Sequence, residues 1–357
     1  MKSIVDNFWR LLTMDVGIDL GTANTVVHVR DRGVVIRQPS VVARQTKTKE
    51  ILAIGEEAKQ MLGKNPANIE VIRPLRDGVI ADFDAAEVML KHYIKEVHEL
   101  YRGFGFKVAR PRVAIGIPSG VTEVERRAVQ EAALGAGARQ AYLIEEPMAA
   151  AIGAGLPIDK AEGQMVIDIG GGTTEIGIIS LGGLVLNRSL RIAGDELTEA
   201  VINYVRLRHD ILLGETTGEE VKMGLGSACE SKKEQEGVPM QMVVRGRSLR
   251  DGLPKSVKLT SMEIREALMP ILQQIVSEIT LIIEETPPEL SSDILEKGMV
   301  LAGGGALIRG LDKLISEETG MPVWVTDKPM EAVVRGCAKV LADDNLLKKV
   351  KVTGGLG

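Results

Sequence analysis

Two short stretches of the chain carry an apolar strand with an aspartate straight into a glycine turn: IDLGTANT at Ile18–Thr25 and DIGGGTTE at Asp168–Glu175. Glycine lets backbone N–H groups approach a ligand without interference from a Cβ, and successive N–H groups in a tight turn form a concave nest suited to phosphate. Thr22, Thr25, Thr173 and Thr174 could add hydroxyl donors. Asp19 and Asp168 would repel a bare phosphate, so their place beside the glycines makes sense with a Mg2+ ion held through water. A third glycine run, Gly303, Gly304 and Gly305, follows another apolar strand. One glycine hairpin is an ordinary turn, but two with the same Asp-x-Gly order and a third run point to a nucleotide cleft. Neither GxxxxGK[ST] nor a Rossmann GxGxxG after the first strand is present, so two β-hairpins are expected to clamp one polyphosphate from both sides.

Hydrolysis without a protein nucleophile needs a residue that orients water in line with the terminal phosphate. Glu145 and Glu146 stand together directly before Pro147, at the start of a predicted helix. Acidic side chains there also suit the helix dipole, which alone would account for one of them. No activated serine, cysteine or lysine occurs in these motifs, which favours slow hydrolysis over a covalent intermediate.

The elements that must position these residues read as two α/β halves. From Val16, short β-branched strands are punctuated by glycine, and a polar stretch from about Gln45 to Asp77, broken by Pro66 and Pro74, reads as a small inserted lobe. Helical periodicity sets in from Ala85, then RVAIGIPSG reads as a buried strand and Glu123–Gly135 as a helix. EEPMAAAIGAG starts a helix with Pro147 in its first turn, where a missing N–H does no harm. The second half repeats the scheme, with a helix over GDELTEAVINYV, a polar glycine-interrupted lobe near 224–256, and a long amphipathic helix from about Ser261 to Glu285. The two aspartates are about 149 residues apart. This internal repeat predicts two similar halves facing each other across a cleft.

The length of 357 residues fits about two domains. A net charge of -5 gives no basis for nucleic-acid binding, which relies on basic surfaces. Cys229 and Cys337 lie far apart, and the four histidines show no metal-ligand spacing, so neither a disulfide framework nor a zinc site is expected and a reducing cytoplasm fits. No run approaches the roughly 18 apolar residues of a membrane span. MKSIVDNFWRLLTMD lacks the apolar core and cleavage site of a secretory signal.

IDLGTANT, LIEEPMAAAIGAG, DIGGGTTE, AGDELTEAVINYV and LAGGGALIRGLD together resemble the actin/chaperone/sugar-kinase ATPase superfamily, and within it the MreB family of bacterial actins. The likeness runs from about Asp15 to Asp343. It implies an actin-like ATPase fold of two duplicated ribonuclease-H-like α/β domains facing a nucleotide cleft, each with a small inserted subdomain. The domains would be 15–160 plus 328–345, with an insertion at about 45–79, and 161–327, with an insertion at about 196–259. By resemblance, Gly21, Thr22, Ala23 and Asn24 form the first phosphate loop and Gly170, Gly171, Gly172 and Thr173 the second. Gly303, Gly304, Gly305 and Ala306 would pass near the adenine, and Glu219 and Lys222 would contact ribose and base. Glu146 would orient the water, with Thr173 beside it. The cofactors implied are ATP or ADP, with Mg2+ at Asp19 and Asp168. The chain departs from the family at Lys222–Gly226, where two glycines would weaken a helix by roughly 1 kcal/mol each.

Aromatic residues are 3% of the chain, and Phe8, Trp9, Phe104 and Phe106 fall in just two segments. On a helical wheel, Ile4, Val5, Phe8, Trp9, Leu11 and Leu12 share one arc opposite Lys2, Asp6, Asn7 and Arg10, the pattern of an interfacial helix over residues 1–14. YRGFGFK places Phe104 and Phe106 at a predicted loop tip, a site that is ordinarily polar. The family resemblance implies that both segments touch the inner membrane surface, and that the chain polymerises into filaments with membrane-embedded cell-shape and wall-synthesis proteins as partners. The rival is a small-molecule, sugar-type kinase of the same superfamily, but no second substrate pocket is identifiable. A chaperone would need a peptide-binding domain for which no room is expected.

Overall fold

The computed structural model describes residues 15–100 and 110–352. The segments holding Ile4, Phe8, Trp9 and Leu12, and Phe104 and Phe106, lie outside the described residues.

The first half begins with a meander, β1 (Val16–Leu20), β2 (Asn24–Val29) and β3 (Gly33–Pro39). A small lobe follows, made of β4 (Val42–Gln45), β5 (Ile51–Ile54) and β6 (Ile69–Ile72) with the short helix Glu56–Met61, and then the two-stranded ribbon β7 (Leu75–Arg76) and β8 (Val79–Ile80). The chain returns through helix Phe83–Leu100 to β9 (Arg112–Ile117), and through helix Glu123–Gly135 to β10 (Gln140–Glu145). Thr122 caps the latter helix by accepting from the Glu125 N–H, and Glu125 accepts from Thr122 N–H at 2.7 Å, a reciprocal box that sharply sets its start. The five strands pair in the order β10-β9-β1-β2-β3, antiparallel along the meander and parallel from β1 to β10.

The second half repeats this plan with β11 (Gln164–Ile169), β12 (Thr174–Ser180), β13 (Gly183–Leu190), β17 (Met299–Ala302) and β18 (Val323–Val325), in the order β13-β12-β11-β17-β18. Its inserted part includes helices Gly194–His209 and Glu215–Leu225, and a sheet of β14 (Ile211–Leu212), β15 (Gln241–Ser248) and β16 (Pro254–Thr260). Asp19 and Asp168 occupy corresponding places near the ends of the two central strands. All six positions of β9 and of β11 are buried, as inner strands of sheets covered on both faces require.

Helix Ser261–Glu285 passes the length and composition test for a membrane span, at a mean hydropathy of 1.4 over its most apolar window. The expectation that no segment approaches that test is corrected. Ile264, Leu268, Leu272, Ile275, Ile279 and Ile282 of this helix are buried in the core of the second half, so the apolar run is a packing face.

The halves join through two exchanged helices. Glu146–Ala154 follows β10 of the first sheet yet packs on β11 and β12 of the second, and Ala332–Ala342 follows β18 yet packs on β1 and β9. They cross at glycines: a Cβ on Gly153 would lie 1.8 Å from Ala332 O, and one on Gly336 1.8 Å from Ala149 O. A third apolar cluster forms around this crossing, including Met148, Ile152, Val166, Val300, Val333 and Cys337. Nearby, Asp15 is buried and receives Arg112 in two hydrogen bonds, at 2.9 and 2.7 Å, plus Arg30 at 2.6 Å.

Candidate functional site

The two glycine turns meet. A Cβ on Gly171 would lie 2.6 Å from the Ala23 Cβ, and one on Gly172 would lie 2.8 Å from Thr22 Oγ1. Glycine here serves the approach of one turn to the other. Beneath them opens a cavity of about 510 Å3, walled by Asp19, Gly21, Thr22, Ala23, Asn24, Glu146, Asp168, Gly170, Gly171, Gly172 and Thr173, with Glu219, Lys222, Gly303, Gly304 and Gly305 to one side. Gly303 has a φ of 79°, and a Cβ there would fall 2.5 Å from Asp168 Oδ1, so only glycine lets the turn after β17 lie against that aspartate.

Several residues read from the sequence stand elsewhere. Ala306 is not on the cavity wall: its methyl is buried in the core of the second half, because the 3-10 turn Gly305–Leu307 rotates it inward. Thr25 and Thr174 are fully buried, the first bonded to Ser40 Oγ at 2.9 Å and the second donating to Ile192 O at 2.7 Å, so they brace the turns and offer no free hydroxyl. Glu145 ends β10 off the wall, leaving Glu146 as the one of this pair that faces the cavity. The helix before Gly224–Gly226 ends at Leu225, with Gly226 as its cap, so only Gly224 sits inside it.

The electrostatics are those of a crowded acid site. Burial pushes Asp19 up to about 7. Burial raises Asp168 well above the usual carboxylate range, with Asp19 and Glu175 adding to it. Glu146 is likewise raised well above that range by burial, then by Glu175, Asp19 and Asp168. None of these three has a basic partner among the described residues. No three carboxylates among the described residues converge as a protein-only metal cage. At the outer end, Glu219 faces Lys59 at 3.7 Å, and Lys222 Nζ donates to Gly194 O at 2.7 Å and Thr198 Oγ1 at 2.8 Å. Burial lowers the Lys222 ammonium, while Glu219 and Asp195 oppose that.

Sequence reasoning passed over three features. Arg73 spans the cleft to Asp195 at 3.3 Å and to Glu215. Lys59 reaches the wall from the small lobe. Glu175, inside DIGGGTTE itself, is fully buried opposite Asp168 on the neighbouring strand. Its charge amid buried strand positions was the only local signal.

Two β-hairpin turns and a helix-borne carboxylate around one cleft, carried on a duplicated five-stranded sheet, define the actin-like ATPase fold. The chain belongs to the MreB/Mbl family, whose model, described as MreB/Mbl protein, matches residues 13–349. The cell shape-determining protein MreB of Escherichia coli K12 is 51% identical over 342 residues, covering 95% of this chain and 96% of that protein. The cell shape-determining protein Mbl of Bacillus subtilis 168 is 42% identical, covering 96% and 100%. The crystal structure of MreB5 of Spiroplasma citri bound to ADP superposes with a TM-score of 0.86 at 36% identity, covering 95% of this chain and 98% of that one. The MamK double helical filament matches at a TM-score of 0.76 and 22% identity, covering 93% and 99%, and shows the fold alone. Nothing in this family assignment supports the sugar-kinase alternative.

Proposed function

We propose that the chain is a cytoplasmic, ATP-binding and slowly ATP-hydrolysing cytoskeletal protein that polymerises into filaments on the inner membrane surface and organises cell shape and wall synthesis. The observation that carries this reading is the pair of equivalent aspartates, Asp19 and Asp168, facing one cavity beneath glycine turns that touch. The E. coli and B. subtilis relatives are cell shape-determining proteins, and MreB5 of S. citri is known bound to ADP and to AMPPNP.

The acid cluster fits a hard divalent cation. Asp19 and Asp168 are oxygen donors held in a low-dielectric site without basic partners, where bare charge is costly. With too few carboxylates for a closed cage, phosphate oxygens and water would complete the shell, as Mg2+ prefers. When bound, Mg2+ would offset the charge of the phosphates. Backbone N–H groups of Gly21–Asn24 and Gly171–Thr173 would bind those phosphates, while the Gly170 N–H closes its own turn by donating to Thr173 O at 2.8 Å. Glu146 accepts a hydrogen bond from the attacking water and so aligns it. Glu219 and Lys222 flank the nucleoside.

We assign 15–160 with 328–345 to one domain and 161–327 to the other, with residues 1–14 as a membrane-targeting helix and Phe104 and Phe106 as a second lipid contact. Nucleotide bridging both domains would hold them at one angle and favour the polymerising state. Burial of Phe8 and Trp9 in lipid contributes a few kcal/mol per subunit, and polymerisation multiplies it through avidity. The test is sedimentation of the full chain in ATP and Mg2+, with and without anionic liposomes, alongside phosphate release. Filaments that pellet with lipid are expected, and Trp9→Ala should lose the lipid fraction while still binding nucleotide. Protein that stays monomeric in every condition, or that phosphorylates a sugar, overturns the reading.

A further inference from the structure

We propose that Glu175 is a positioning residue for hydrolysis, a latch that ties the turn after β9 in the first half to β12 and β13 in the second. This rests on reading the cleft as an ATPase site. Glu175 is fully buried and is not on the cavity wall, so it does not touch a bound nucleotide. Its Oε2 accepts the Ser119 backbone N–H at 3.0 Å, and its Oε1 accepts the Ser189 hydroxyl. A Cβ on Gly120 would lie 3.3 Å from the Ser189 Cβ, so the turn Pro118–Gly120 lies directly on β13.

That turn supports the chemistry from two directions. On β9, a Cβ at Gly116 would lie 3.4 Å from Glu146 Cγ, which makes this strand end the floor under the water-orienting carboxylate. Beyond it, a Cβ at Gly78 would lie 2.5 Å from Pro118 Cγ and 3.1 Å from Thr173 Cγ2, and the Gly78 N–H donates to Thr22 Oγ1 at 3.1 Å. One carboxylate therefore pins a run of contacts that ends on Glu146, Thr173 and Thr22. An apolar side chain would fill the same space without the desolvation cost of an acid, so the acid adds two directed hydrogen bonds, alongside the charge it places near Glu146 and Asp168. The latch spans the two halves beside the strand end that meets Glu146.

Two variants of the full chain separate reach from charge. Glu175→Gln keeps an acceptor for Ser119 and a partner for Ser189, whereas Glu175→Asp keeps the charge but withdraws it by one methylene. Phosphate release at saturating Mg·ATP, KM, and hydrogen exchange at the Ser119 amide are measured for each. Glu175→Asp should lower kcat about tenfold, with KM within about twofold, and speed Ser119 exchange at least about tenfold. Glu175→Gln should match wild type within about twofold in kcat and in exchange. The inference is overturned if Glu175→Asp turns over like wild type, or if Glu175→Gln loses turnover while the Ser119 amide stays protected. Wild-type protein that releases no phosphate sinks the ATPase reading instead, while Ser119 exchange in the two variants still decides whether the latch exists.

Discussion

At the scale of residues, Glu146 combines burial, three acidic neighbours and a place on the cavity wall. Glu146→Gln keeps its volume but weakens its hold on water, so phosphate release should fall about 100-fold or more, with nucleotide affinity changed less than about threefold. Single-turnover kinetics with a fluorescent ATP analogue would check both, and equal loss of binding would contradict the assigned role. Far from the cleft, Glu234 shows the opposite electrostatics. Burial pushes this carboxyl up, but the Ser231 N–H, the Ser261 hydroxyl and Arg265 at 2.9 Å outweigh it and bring it down to about 2. Its folded value lies below the unfolded 4.5, so its stabilisation is complete above about pH 5 and is lost as pH falls toward 2. Glu234→Gln should therefore cost about 1–3 kcal/mol in urea unfolding at pH 7, with the gap to wild type narrowing below the unfolded value of 4.5 and closing only as pH falls through about 2.

At the scale of elements, the exchanged helices Glu146–Ala154 and Ala332–Ala342 decide where Glu146 stands. Their crossing leaves no room for a Cβ on either glycine. Gly336→Ala should overpack the crossing and cost at least about 1–3 kcal/mol, despite the better helix propensity of alanine. Urea denaturation reads this directly, and a stabilised variant would show that the crossing is looser than described. Helices Glu123–Gly135 and Ser261–Glu285 were legible because their starts are local: Thr122 with Glu125, and Thr260 with Glu263, three positions on, form capping boxes. The place of 328–345 with the first half came only through the family likeness, and the packing of Glu146–Ala154 on the second sheet was not legible. Apolar periodicity marks a face that must be buried, but does not name the sheet that buries it.

At the scale of the whole molecule, the cleft is closed at its mouth by side chains from opposite lobes. Arg73 pairs with Asp195 and Glu215, and Lys59 with Glu219. These pairs are half-exposed, so Arg73→Ala should cost no more than about 1 kcal/mol in stability. The same change removes a tie across the cleft, and nucleotide dissociation should accelerate by about three- to tenfold in a stopped-flow chase. Unchanged dissociation would mean that the lobes are held together by other contacts.

What the sequence by itself determined was the chemistry on offer: paired Asp-x-Gly turns, a glutamate before a helical proline, and a duplicated strand plan with the family likeness that followed. These are local, since strand alternation, glycine turns and helix caps are set within a few residues. The tertiary structure alone decided which of those groups face one another. It turned Ala306 into the core, buried the hydroxyls of Thr25 and Thr174, set Gly171 against Ala23, and brought Glu175 under Ser119 from 56 positions away. Such pairings depend on how two sheets pack through a shared helix crossing, and no pattern within either partner's own segment carries that distance.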